Sequence, residues 1–176
     1  MAVIICKLGG AICIMAAAMW LGESKARSLG LRVRQLQQFQ QSLKLLAAEV
    51  AYVNSILPLA FQKVSRQTGF PAKEIYSTAA GILSTRDDLT AQEAWESALS
   101  QVSPKTCYTG LDLEVIKGLG VSLGESQKEG QLTQIELTLK RLEFALHEAQ
   151  EDKSRNEKMW RYLGLLGGAA LVILLL

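Results

Sequence analysis

Through the middle of the chain, apolar residues recur at alternating steps of three and four. Leu36, Phe39, Leu43, Leu46, Val50, Val53 and Leu57 keep this rhythm, with Gln35, Gln37, Gln38, Gln40, Gln41, Lys44 and Glu49 between them. With about 3.6 residues per helical turn, the first set forms one stripe and the second a polar back, which predicts one long amphipathic helix. Asn54-Ser55 and Pro58 end it, and Pro58 suits the first turn of a second helix reaching about Gln67. Gly69-Phe70-Pro71 predicts a stop and a restart, with Gly69 just past one helix and Pro71 at the first position of the next. A third helix over about 71–84 carries Ile75, Tyr76, Ala79 and Leu83.

Thr90-Ala91-Gln92-Glu93 has the form of a capping box, in which Thr90 and Glu93 satisfy each other's backbone donors. The fourth helix then buries Ala94, Trp95, Ala98, Leu99 and Val102 and stops at Ser103-Pro104. A fifth helix over about 111–123 is loosened by Gly118 and Gly120 and closed by Gly124. Ser126-Gln127-Lys128-Glu129 offers a second capping box. It opens a sixth helix with Leu132, Ile135, Leu139, Leu142, Leu146 and Ala149 in the same rhythm. No Pro or Gly interrupts the stretch from Leu132 to Leu163, and no segment alternates with period two, so no sheet is expected.

Both ends of the chain depart from this amphipathic pattern. Ala2 to Leu21 reads AVIICKLGGAICIMAAAMWL, with Lys7 its one charge, and as a helix it covers roughly 30 Å, enough to cross a bilayer core. Lys7 can snorkel to the headgroups, and Trp20 stands where an interfacial aromatic belongs. A cleaved secretory signal is the rival reading, since Ala16-Ala17-Ala18 has the small-x-small form. Against it, Lys25, Arg27, Arg32 and Arg34 follow with only Glu23 opposing them, and such a cluster keeps its side cytoplasmic.

The tail from Leu163 to Leu176, LGLLGGAALVILLL, carries no charge, and Met159, Trp160 and Tyr162 extend it into a thin span. Lys153, Arg155, Lys158 and Arg161 precede it and give the same orientation. A buried core helix is the alternative for this tail, although it has no polar face. Gly164 and Gly168 form a G-x-x-x-G step, through which pairing with the first apolar segment is plausible. The expected organisation is an N-terminal transmembrane anchor over 1–23, a cytoplasmic helical bundle over 24–158 and a C-terminal hydrophobic membrane segment over 159–176. The fold class is all-α, a six-helix bundle flanked by membrane segments.

Composition narrows the function classes. Nineteen basic and 17 acidic side chains leave a net charge of +2, so there is no basic field of the kind nucleic-acid binders use. Three cysteines and one histidine cannot build a closed Cys/His metal site at these spacings. Gly118-x-Gly120-x-x-x-Gly124 has the wrong spacing for a dinucleotide loop and no strand before it, and there is no G-x-x-x-x-G-K-[ST] loop. His147, near Glu143 and Glu148, reads as helix surface, and Cys6, Cys13 and Cys107 read as packing or loop thiols. Asp87-Asp88 and Glu148, Glu151 and Asp152 read as solvated charge runs. No catalytic residue, cofactor, metal or small-molecule substrate is expected.

One feature stands apart from the core pattern. Leu137 and Phe144, seven residues apart, lie roughly opposite the Ile135/Leu142 row of the sixth helix. Either the helix has a broad core face, or the pair is an exposed strip for a partner protein.

The ending Asn156-Glu157-Lys158-Met159-Trp160-Arg161-Tyr162-Leu163-Gly164-Leu165-Leu166-Gly167-Gly168, with its aliphatic tail, resembles the C-terminal signature of the stage III sporulation protein AB family. The Arg-rich exit from the first apolar run, Gln35-Leu36-x-x-Phe39-x-x-x-Leu43-x-x-Leu46, Ala94-Trp95-Glu96 and Leu119-Gly120-x-x-Leu123-Gly124 extend the resemblance over essentially the whole chain. It implies a component of the channel or secretion-like complex between mother cell and forespore, held in the mother-cell membrane around the forespore. It also implies a cytoplasmic domain similar to the inner-membrane platform proteins of type II secretion and type IV pilus machines. Such platforms couple a cytoplasmic ATPase to the membrane assembly, here stage III sporulation protein AA, beside other stage III components and the lipid bilayer. The alternative is a membrane-anchored or secreted helical protein with an unrelated adaptor or enzymatic role.

Overall fold

The computed structural model describes residues 2–53, 56–86, 88–123 and 127–175, with the side chains of 2–9, 11, 53, 174 and 175 outside that description. Six α-helices account for nearly all of it: α1 Ala2–Ala48, α2 Leu57–Gln67, α3 Ala72–Thr85, α4 Ala91–Val102, α5 Gly110–Leu123 and α6 Lys128–Leu175. A π-helical turn Glu49–Val53 follows α1, and a 3-10 turn Ser103–Lys105 follows α4. No strand occurs among the described residues. The chain divides into two compact units, Arg32–Glu148 and the pair of segments Met1–Leu31 and Ala149–Leu176.

In the unit Arg32–Glu148, the three-four rhythm of α1 does what it predicts. Leu36, Phe39, Leu43 and Leu46 are fully buried, whereas Gln37, Gln41 and Lys44 are exposed. Two polar residues break the expected pattern. Gln35, expected on the polar back, is buried, and its Oε1 accepts the Cys107 backbone N–H at 2.8 Å. Arg32, expected in the cationic cluster beside the first apolar run, is buried within the bundle. The amphipathic helix also stops short of Leu57, giving way to the π-helical turn, onto whose Ala51 carbonyl Lys128 Nζ donates. The expected break at Asn54-Ser55 lies outside the described residues.

Pro58 occupies the first turn of α2, as its fixed φ and missing N–H favour. The restart at α3 differs in detail from expectation. Thr68 caps α2, so Gly69 stands just past it as expected but without positive φ, whereas Pro71 precedes α3 instead of opening it, with the Phe70–Pro71 peptide cis. The Gly69 carbonyl accepts from Lys73 N–H and the Pro71 carbonyl from Ile75 N–H.

At α4 the capping box is complete. Thr90 Oγ1 accepts from the Glu93 N–H at 3.2 Å, and the Glu93 carboxylate accepts from the Thr90 N–H at 2.8 Å. The backbone and hydroxyl donors of Thr90 hold the Glu93 carboxyl below its usual pKa. That contribution is therefore present at neutral pH and lost as pH falls through the lowered value. Thr90→Ala should cost about 1 kcal/mol in a chemical-denaturation curve, and no change would mean the box does not hold the helix end. The second box expected at Ser126 lies outside the described residues, as does Asp87.

The core of this unit is aromatic at its centre. Trp95 lies 5.3 Å from Tyr76, 5.7 Å from Phe61 and 6.3 Å from Phe39, ring centre to ring centre. All four are fully buried. The Trp95 Nε1–H donates to the Ile116 carbonyl at 2.9 Å, so its polar end is satisfied. Gly120 is the space that admits this ring, since a Cβ there would stand 2.8 Å from Trp95 Cδ1. Gly118 has no such neighbour, and close packing does not account for it. The Tyr76 hydroxyl is fully buried beside Ser42, and burial raises its pKa above the ordinary tyrosine value.

The second unit pairs the start of α1 with the end of α6. Gly22, Ala26, Gly164 and Gly168 are buried there. A Cβ on Gly22 would lie 2.7 Å from the Trp160 carbonyl oxygen and 3.0 Å from Gly164 Cα. A Cβ on Gly164 would lie 2.8 Å from the Ala18 carbonyl oxygen. Backbone thus meets backbone, and these glycines are spent on contact inside the chain. Outward, Ile12, Trp20, Leu21, Tyr162, Leu163, Leu166 and Ile173 are exposed. Where that apolar surface ends, Glu23 pairs with Arg27 at 3.0 Å and with Arg161 at 3.4 Å, and Glu157 also pairs with Arg161. Among the described residues no helix is long and apolar enough to cross a membrane. Of the expected spans, side chains 2–9 and 11 of the first and the last three residues of the second lie outside that description.

Candidate functional site

The outward face of α6 is built by the same periodicity that builds its inner face. Ile135 and Leu142 are buried, with Thr138 between them. Leu137 and Phe144 lie half a turn away and are 43% and 77% exposed. Seven residues separate them, about 10.5 Å along the helix axis. Lys140 and Arg141 fill the interval, three and four residues from each apolar neighbour, and both are exposed. The face therefore reads apolar, cationic, apolar. Sequence reasoning found Leu137 and Phe144 but passed over the two cations, although their spacing was available.

Because Phe144 contributes so little to the core, Phe144→Ser should change the melting free energy by no more than about 0.5 kcal/mol. A loss of several kcal/mol would return Phe144 to the core.

A second polar assembly is buried instead. Arg32 Nε donates to Asp112 Oδ2 at 2.8 Å and Nη2 to Oδ1 at 3.0 Å, a bidentate pair. Asp112 Oδ2 also accepts the Thr109 N–H at 2.8 Å, while Thr109 Oγ1 accepts the Asp112 N–H at 3.3 Å and caps α5. Glu148 stands 3.7 Å from Arg32 Nη2. Beside them the Tyr108 hydroxyl donates to the Gln35 carbonyl at 3.2 Å, and burial followed by the nearby Asp112 charge raises its pKa. Every carboxylate oxygen of Asp112 is engaged, and this arrangement joins α1 to α5 and the 106–109 loop.

A groove of about 400 Å³ runs between α3 and α4, lined by residues that include Thr78, Ile82, Arg86, Ser97 and Gln101. None of its described lining residues is a carboxylate, histidine or cysteine, so among the described residues it holds no acid, base or thiol nucleophile. Among the described residues no three His, Cys, Asp or Glu side chains come together as a metal site. His147 faces outward, Cys13 is an exposed free thiol, and Cys107 is a half-buried one whose pKa burial raises. The side chain of Cys6 lies outside the described residues.

Comparison with known proteins gives one consistent result. The family model described as stage III sporulation protein AB matches residues 7–176. Stage III sporulation protein AB of Bacillus subtilis (strain 168) is 33% identical over 170 residues, which span 97% of this chain and 99% of that protein. A solved structure of a stage III sporulation protein AB superposes with a TM-score of 0.66 at 28% identity, over 71% of this chain and 98% of the other.

Proposed function

This chain belongs to the stage III sporulation protein AB family, and on that premise we propose that it is a non-enzymatic platform component of a stage III sporulation complex. In this reading the complex is the channel or secretion-like assembly between mother cell and forespore. The chain sits in the mother-cell membrane around the forespore, with the helical bundle in the mother-cell cytoplasm. It couples a cytoplasmic ATPase, stage III sporulation protein AA, to the remaining membrane components.

The observation that carries this reading, beyond the family itself, is the character of the unit formed by the two ends. Ile12, Trp20, Leu21, Leu166 and Ile173 point outward from a glycine-lined helix pair. An apolar surface of that extent is costly in water and ordinary in lipid. Lipid offers no hydrophobic drive between helices, so membrane helices associate through close backbone approach of the kind made at Gly22 and Gly164. The ion pairs of Glu23, Arg27, Glu157 and Arg161 then lie at headgroup level.

The experiment is affinity purification of the full chain from detergent-solubilised membranes of sporulating cells. The reading expects the ATPase and other stage III components to be retained. Recovery of the chain alone would remove the platform role.

A further inference from the structure

We propose that the buried Arg32–Asp112 pair is a register key. It fixes one rotational setting of α1 against α5 and the 106–109 loop, and contributes no stability that an apolar pair of similar size would lack. Arg32 opens the unit Arg32–Glu148 and Glu148 closes it, so the key lies on the turns through which α1 and α6 leave that unit. The use of the setting rests on the reading above, in which the bundle is coupled to the membrane through these two helices; the setting itself does not.

The apolar core of this unit stops one turn short on both helices. On α1 the fully buried stripe begins at Leu36, with Val33 at its margin, and on α5 it begins at Ile116, while Leu111 is exposed. Arg32 and Asp112 each stand four residues before those positions, in phase with the stripe, and are buried there. Polar contacts from across the chain converge on this turn. Arg32 donates to Asp112 at 2.8 and 3.0 Å, and Asp112 also accepts the Thr109 N–H. One turn on, Gln35 accepts the Cys107 N–H on its side chain and the Tyr108 hydroxyl on its backbone carbonyl. Glu148 of α6 stands 3.7 Å from the same guanidinium, so the pair reaches both outgoing helices.

Direction distinguishes this contact from the rest of the core. Apolar packing is non-directional, and cores repacked with apolar side chains lose uniqueness before they lose stability. A two-pronged guanidinium–carboxylate bond has one geometry, so a rotation of α1 about its axis breaks it. Apolar pairs of similar volume often replace buried ion pairs with no loss of stability, so stability alone does not account for charges at this level. A single defined setting accounts for them.

The test uses the full chain in mild detergent, with Cys6→Ser, Cys13→Ser and Cys107→Ser, and spin labels at Gln37→Cys and Glu114→Cys on the exposed sides of α1 and α5. With the pair intact the labels should show one narrow distance. Arg32→Met/Asp112→Leu should melt within about 4 °C of that chain. Its distance distribution should nevertheless be about twofold wider, or split in two. Arg32→Lys keeps the charge but loses the fork, and should widen the distribution part-way. Purified from sporulating cells, the double variant should retain about tenfold less of the other stage III components than the unaltered chain.

A distribution as narrow in both variants as in the unaltered chain would overturn the proposal. So would a double variant as unstable as Asp112→Ala, since the pair would then hold up the fold and set nothing. If the distribution widens while the stage III components are retained in full, the key stands and its use in the complex falls. If even the unaltered chain retains none of them, it is the platform reading that falls, and the label distances still decide the key.

Discussion

Asp112→Ala is expected to destabilise the helical bundle by about 3–5 kcal/mol, because it takes the bidentate carboxylate away from the buried Arg32 guanidinium. The carboxylate supplies two hydrogen bonds to that guanidinium and one to the Thr109 N–H, and alanine supplies none. The half-exposed Glu148 carboxylate, 3.7 Å away, is too distant and too solvated to replace it. The cost belongs to breaking the pair rather than to lacking it. Arg32→Met/Asp112→Leu should therefore recover most of the loss, since apolar replacements of buried ion pairs are often neutral or stabilising. Equilibrium urea unfolding of the full chain in mild detergent measures both variants. A small effect for Asp112→Ala, or a double variant as unstable as the single one, would mean that the pair does not organise the junction of α1 and α5.

Trp95→Ala should cost a similar amount, about 3–5 kcal/mol for loss of a fully buried large aromatic. Three aromatic rings within 6.3 Å lose their common neighbour. The space beside Gly120 then becomes a cavity between α4 and α5. Trp95→Phe keeps part of the packing but not the hydrogen bond to the Ile116 carbonyl, and should fall between the two. Thermal melts followed by circular dichroism rank the three chains. A Trp95→Ala melt indistinguishable from the unaltered protein would contradict the aromatic centre.

The contrast between these sites shows what periodicity can and cannot reveal. Leu36, Phe39, Leu43, Leu46 and the whole Ala94, Trp95, Ala98, Leu99, Val102 set were legible because burial of an apolar stripe is a local property of a helix. The Arg32–Asp112 pair was not, since it joins residues 80 apart and a cation after an apolar run reads first as a headgroup contact. A signal was nevertheless present. Arg32 continues the stripe of Leu36, Phe39 and Leu43 backwards in phase, and Asp112 does the same for Ile116, Leu119 and Leu123. Two opposite charges, each in phase with a core stripe, are the sequence trace of a buried pair.

At the α6 strip the position of Leu137 and Phe144 was legible from phase alone. Whether that phase faces solvent depends on what packs against the helix, and only the tertiary structure answers that.

On the proposed reading, the two ends of the chain anchor the helical bundle on the cytoplasmic side of a membrane. Labelling with a membrane-impermeant maleimide tests it most directly, using the full chain with Cys6→Ser and Cys13→Ser in bacterial spheroplasts and in inverted vesicles. Cys107 is half-buried with a raised pKa and reacts slowly, so Gln101→Cys on the exposed face of α4 serves as a second reporter. The account predicts that both react only in inverted vesicles, whereas Ala2→Cys and Leu175→Cys react only in spheroplasts. Reaction of Cys107 or Gln101→Cys in intact spheroplasts, or recovery of the chain free of membrane, would contradict it.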